Sequence, residues 1–174
     1  MRKSLKAVIT AGCCLTACVA IAILAGVRIN TTNSYPRGIY LMTSAPIEKG
    51  SLVIFCPVDN TTFRQARQRG YIGAGFCPGG YGYMIKKILA AKNDNVEISA
   101  LGVFVNGALL PNSKPMDRDL QGRSLSYIRT NIASLDDNSI LLMSDYSAKS
   151  FDARYFGVID KSNIISSIRL VWTW

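Results

Sequence analysis

The sequence contains no histidine. That absence excludes a Ser-His-Asp triad, a Cys-His pair and histidine-based zinc sites in one step. A hydrolase built on this chain must activate its nucleophile with another base. Lysine is the natural substitute, because Ser-Lys pairs follow the same logic. Cysteine is scarce as well. Of five, Cys13, Cys14 and Cys18 fall within one apolar run and read as small apolar residues. Only Cys56 and Cys77 lie elsewhere, where an oxidising compartment would let them pair and a reducing one would leave two buried thiols. Acidic residues are outnumbered, 11 against 20 basic, for a net charge of +9. Arg2, Lys3, Lys6 and Arg28 flank the apolar run, leaving 16 basic against 11 acidic residues, an excess of five spread along the chain. That modest excess suits a solvated surface near anionic lipid head groups. No basic stripe interleaved with aromatics points to nucleic acid. Apolar residues make up 49% of the chain and charged ones only 18%, which excludes a disordered chain.

The apolar run is "AVITAGCCLTACVAIAILAGV", residues 7 to 27, without a charge. As a helix it would extend roughly 30 Å, the thickness of a bilayer's hydrocarbon core. The basic residues before it favour a cytoplasmic N-terminus, so the rest of the chain is expected to face the periplasm. A cleaved signal peptide ending at "AIA", residues 20 to 22, is the rival reading. The run is long for that role, and either reading exports the same domain. The chain thus divides into an anchor, residues 1–28, and a domain, residues 29–174, of ordinary single-domain size.

The exported part reads as short strands. "GIYLMTS", "SLVIFCP", "GYGYMIKKILAAK", "NSILLMSD", "RYFGVID" and "IISSIRLVW" are rich in β-branched and aromatic residues and bounded by turn residues. Asn106-Gly107 in "GVFVNGALL" predicts a two-residue hairpin turn. "DNTTFRQARQRG", residues 59 to 70, predicts one short helix, with N-cap candidates at its start and Gly70 as its stop. Residues 111 to 126 read as a loop. The fold class is mainly β, a small antiparallel sheet or barrel.

Three segments carry polar groups of interest. "NSYPRGIY" follows the apolar run and presents Ser34 between turn residues. "YMIKKIL" puts Lys86 and Lys87 inside an apolar strand, where alternation turns one of the two inward, unless one snorkels at a sheet edge and the other is solvated. Burial favours the neutral amine, and a neutral lysine can take a proton from a serine hydroxyl. "SDYSAKSFDARYFG" places Ser150, Asp152 and Arg154 two apart, on one face if extended, with Asp152 and Arg154 free to pair.

In order and spacing, these segments resemble the bacterial type I signal peptidases, serine peptidases of family S26 that use a Ser-Lys dyad. The anchor followed at once by a serine is their layout. "YMIKKILAAKNDNV" is similar to their lysine box, and Asp145, Ser150, Asp152, Arg154 and Gly157 fall in register with their last box. "NSYPRGIY", "GYIGAGFCPGGYGYMIKK" and the terminal "VWTW" look like the TraF-type conjugal-transfer branch. The resemblance implies Ser34 as nucleophile and Lys86, after the Ile of its box, as base. It implies Ser150 as the residue that orients the lysine, and Asp145, Asp152 and Arg154 as support. It implies an oxyanion hole of the Ser34 N–H and the Thr32 hydroxyl. It further implies a single-pass protein of the bacterial inner membrane, in contact with lipid, that needs no cofactor or metal. Its substrate would be pilin precursor, trimmed and in some members joined end to end. A general signal peptidase acting on many exported proteins, and a non-catalytic envelope or pilus-assembly protein, are the competing readings. "SYP", with one residue between Ser and Pro, and "AKND" in place of "LPGD" depart from the general signal peptidases.

Overall fold

The computed structural model describes residues 2–174. The first helix, α1, covers Arg2–Leu24. It does not take in the whole uncharged run. Gly26 adopts φ +86°, a left-handed conformation that ends a helix, and Val27 already belongs to a strand. Arg28 folds back and donates from Nη1 to the Ile23 and Val27 carbonyls, both at 2.9 Å. The helical share of the run, from Ala7 to Leu24, extends roughly 27 Å. Among the described residues no helix is long and apolar enough to cross a membrane.

Twelve strands follow: β1 (Val27–Asn30), β2 (Gly38–Thr43), β3 (Leu52–Phe55), β4 (Ala74–Cys77), β5 (Met84–Ala90) and β6 (Val96–Ser99), then β7 (Gly102–Val105), β8 (Ala108–Leu109), β9 (Thr130–Ile132), β10 (Ser139–Met143), β11 (Ile159–Asp160) and β12 (Ile164–Thr173). Helix α2 (Thr61–Gln68) lies between β3 and β4, and the one-turn α3 (Ala153–Phe156) between β10 and β11. Two antiparallel sheets result. The larger has the order β1-β2-β12-β3-β5-β10-β11, the smaller β8-β7-β6-β9. β4 stands outside both, bridged at Ala74 and Cys77 to Tyr81.

The hairpin at Asn106-Gly107 forms with positive φ at both residues, as its type of turn requires. α2 starts where Asn60 accepts from the Phe63 N–H at 3.0 Å, and it packs Phe63 and Ala66 into the core. "RYFGVID" is not a strand throughout. Asp152 caps a helical turn by accepting from the Arg154 N–H, so residues 153–156 coil, and only Ile159–Asp160 pairs with β10. Gly38 is no turn residue. It opens β2 with an ordinary φ, and a Cβ there would collide with the Trp172 carbonyl across the strand pair.

The core explains where the site sits. β5 alternates buried and half-buried residues along its length, so Met84, Lys86, Ile88 and Ala90 share the inward face. Ile88 and Ala90 belong there to one buried apolar cluster with Leu141, Met143, Phe55 and Phe156. One polar amine therefore stands in a row of apolar side chains.

Candidate active site

Ser34 occupies the loop between β1 and β2, and a single buried side chain shapes that loop. Asn30 is 4% exposed. Its amide nitrogen donates to the carbonyls of Thr32 (3.2 Å), Tyr35 (3.0 Å) and Pro36 (3.1 Å). Its oxygen accepts from the Thr32 N–H (3.0 Å) and the Thr32 hydroxyl (2.8 Å). The Tyr40 hydroxyl adds a bond to the Pro36 carbonyl at 2.7 Å. From the far side, the fully buried Ser144 donates its hydroxyl to the Ser34 carbonyl at 2.5 Å. Ser34 is thus held from both sides, while its own hydroxyl lines an open cleft.

Lys86 lines the same cleft, a space of about 630 Å³ walled by Gly73–Phe76 and Gly82–Ile85. It is 2% exposed, and its Nζ donates to the Ile85 carbonyl at 2.9 Å. Burial drives its pKa down to about 8; the Asp152 carboxylate opposes that shift and Arg154 reinforces it. Lys87 points to the other face, where its Nζ pairs with Asp145 Oδ2 at 2.8 Å. Strand alternation thus separates the two lysines: one is desolvated and faces Ser34's cleft, the other is ion-paired at the rim. Asp145 also accepts from the Tyr35 hydroxyl at 2.9 Å. Burial pushes the Asp145 carboxyl up, but the bonds from Lys87 and Tyr35 outweigh it and hold the group below its ordinary range.

Ser150 stands beside the pair. Its hydroxyl reaches Ser34 Oγ at 3.4 Å, and among the described residues no hydrogen bond joins Lys86 to Ser34 or to Ser150. Asp152 and Arg154 do not lie along an extended strand. The guanidinium folds back onto the carboxylate that caps α3, with bonds of 2.8 and 2.9 Å, and both side chains are fully buried. Arg154 also donates to the carbonyls of Asn112, Lys114, Ala148 and Ser150. Asp152 Oδ2 accepts from the Ser144 N–H at 3.2 Å. A chain of contacts thus runs from the buried ion pair through Ser144 to the Ser34 carbonyl. Thr32 gives its one hydroxyl proton to Asn30, so serving an oxyanion would require it to exchange that partner.

Cys56 and Cys77 are joined by a disulfide, their Cα atoms 5.4 Å apart. The bond ties the end of β3 to β4, part of the cleft's wall. Asn30 and Ser144 carry no signal in the reading by motifs. For Asn30 a local one exists: an Asn two residues before an N–H it can accept from makes an Asx turn. Ser144 could be found only from its contacts, because its partner lies 110 positions away.

Comparisons with known proteins place the chain in a family. The family described as "Signal peptidase, peptidase S26" matches residues 1–174. A plasmid transfer protein TraF of Escherichia coli is 49% identical over 174 residues, covering all of this chain and 98% of the relative. A probable conjugal transfer protein TraF of Sinorhizobium fredii is 36% identical, covering 90% of this chain and 82% of the relative. A conjugal transfer protein TraF of Agrobacterium fabrum is 32% identical over 94% of this chain. Among solved structures, a signal peptidase I of Enterococcus faecalis aligns with 72% of this chain at 13% identity and a TM-score of 0.39.

Proposed function

Because the chain belongs to the peptidase S26 family of signal peptidases, in which its relatives are TraF proteins, we propose that it is a membrane-anchored serine endopeptidase with a Ser34-Lys86 dyad, acting in conjugative transfer. The observation that carries the reading is Lys86. A fully desolvated amine with its pKa lowered to about 8 lines one cleft with a serine hydroxyl. Evolving cores rarely bury an amine without use for it.

The mechanism follows from these positions. Neutral Lys86 takes the Ser34 proton as Oγ attacks the scissile carbonyl. Ser150, beside Ser34 Oγ, steers that hydroxyl toward the amine. The oxyanion forms near the Ser34 N–H, and Thr32 turns from Asn30 to join it. Protonated Lys86 then gives its proton to the leaving amine. Water resolves the acyl-enzyme, or an amine of the substrate does so and closes a ring. Pilin precursor is the substrate that the relatives' role in conjugal transfer favours.

The anchor is part of the reading. Helix α1 falls short of a full span, yet Val8, Leu15, Ile21 and Leu24 are each more than 60% exposed. Lipid is the environment that would cover them. The basic residues before them and the disulfide beyond them fit an inner-membrane protein whose domain faces the periplasm.

The test is the intact mass of a pilin precursor co-expressed with the protein or with Ser34→Ala. Trimming only by the active form supports the peptidase, and a product lighter by one further water adds ring closure. Equal masses with both forms would sink the reading for this substrate, and equal processing of unrelated exported proteins would favour a general signal peptidase.

A further inference from the structure

A second cavity, of about 220 Å³, lies beside the cleft. Its apolar side is aromatic: Tyr71 and Phe151 have ring centres 5.4 Å apart, and Phe151 and Tyr155 stack at 5.7 Å. Its other side carries Arg69, Arg123 and Lys149. The cavity is continuous with the nucleophile's cleft, since Gly70, Tyr71, Leu120, Lys149 and Phe151 line both. Ser150, 3.4 Å from Ser34 Oγ, sits in its wall. A group seated there is therefore within one extended peptide of the dyad.

The charges do not balance. Asp119 is the one carboxylate in the lining, and it is fully committed. It accepts from Arg123 Nε (2.6 Å), from the Tyr71 hydroxyl (2.5 Å) and from the N–H groups of Gln121 and Arg123 (2.9 Å each). Burial raises its pKa, but these bonds outweigh that and hold it far below the usual carboxylate range, so it cancels Arg123 at any working pH. Arg69 gives one N–H to the Ser124 carbonyl at 2.7 Å and, among the described residues, meets no carboxylate. Lys149 is exposed and forms no salt bridge among the described residues. Two positive charges are thus left at the mouth of an aromatic-walled pocket. A merely solvated basic face would have no such cavity behind it.

We propose that this pocket is a substrate subsite for a carboxylate on a short apolar stem. The carboxylate belongs either to a Glu or Asp side chain or to the free C-terminus of the peptide that Ser34 cleaves. The inference rests on the peptidase reading above and adds a specificity to it. Arg69 and Lys149 supply the charge; the stacked rings hold the stem.

The test uses synthetic peptides with small residues before the scissile bond. A single Glu is walked along the positions around that bond, each peptide is paired with its Gln twin, and each is made as free acid and as C-terminal amide. At low salt the best acidic peptide is expected to have kcat/KM about fivefold above its neutral twin, with the gain in KM. The advantage should shrink as salt rises, and Lys149→Gln and Arg69→Gln should each lower kcat/KM more for the acidic peptide than for its neutral twin. Dependence on Glu or on the free terminus identifies the source of the carboxylate. Equal turnover of all peptides by the wild type, abolished in Ser34→Ala, would overturn the subsite and leave the peptidase standing. No turnover of any peptide would overturn both. Variants that slow acidic and neutral peptides alike would make Arg69 and Lys149 structural, and would also overturn the proposal.

Discussion

At the scale of one residue, Lys86 as the proposed base should set the pH behaviour. Its base form appears as pH rises through about 8, so kcat/KM should climb through that value and level off above it. The same shift bears on stability. A lysine whose folded pKa lies below its unfolded value of 10.5 costs stability wherever it must be charged in the folded state. That cost is full below about pH 8 and is relieved between about 8 and 10.5. Lys86→Met should therefore abolish processing and raise stability at pH 7 by about 2–3 kcal/mol, read from urea midpoints. Lower stability of the variant would mean that the amine is held by more than its bond to Ile85. Asn30 makes a second prediction. Asn30→Asp keeps the acceptor for Thr32 but loses the donors to Tyr35 and Pro36. The expected result is a kcat about a hundredfold lower with KM unchanged, because the loop still binds peptide but misplaces Oγ. A rise in KM alone would place Asn30 outside the chemistry.

Elements matter through what ties them. β4 forms part of the cleft wall yet pairs with neither sheet, only with Tyr81. The Cys56–Cys77 bond is its covalent tether, and the two cysteines are 21 positions apart. Replacing both by Ser should cost about 3 kcal/mol by loop-closure entropy. Cleavage should fall at temperatures where the variant is still folded, because β4 would leave the cleft first. An unchanged urea midpoint would sink this account. This scale also separates what a pattern can reveal from what it cannot. The alternation that buries Lys86 and exposes Lys87 is local, so the sequence already told that one lysine points inward. The helical turn Ala153–Phe156 lies inside "RYFGVID" but for its first residue, where Tyr155, Phe156, Val158 and Ile159 suggest a strand; the Asp152 cap and a buried guanidinium set the turn instead.

For the whole molecule, the question is how α1 and the domain divide the work. β1 joins the sheet three residues after α1 ends, so the helix leads straight into the edge strand that carries the Ser34 loop. Ser34, the proposed nucleophile, would then sit close to the surface in which α1 is proposed to lie. The full chain should stay in alkali-washed membranes with residues 1–28 intact by mass. A form lacking residues 1–24 should become soluble, keep its activity on short peptides and lose it on a membrane-bound precursor. A soluble full chain starting after Ala22 would make the apolar run a signal peptide instead.

Residues near in sequence determined much of this protein without further help. The lack of histidine left lysine as the natural base for any hydrolase on this chain, the period of two in "YMIKKIL" turned one lysine inward, and Asn106-Gly107 specified its hairpin. Each is a rule of composition or of neighbours a few positions apart. Tertiary structure alone decided that Ser34 and Lys86, 52 positions apart in the chain, line one cleft. It alone gave Thr32's proton to Asn30, folded Arg154 onto Asp152 and set Ser144 against the Ser34 carbonyl. Those contacts depend on sheet register and on which buried polar groups must find partners, and neither is a property of any short stretch of sequence.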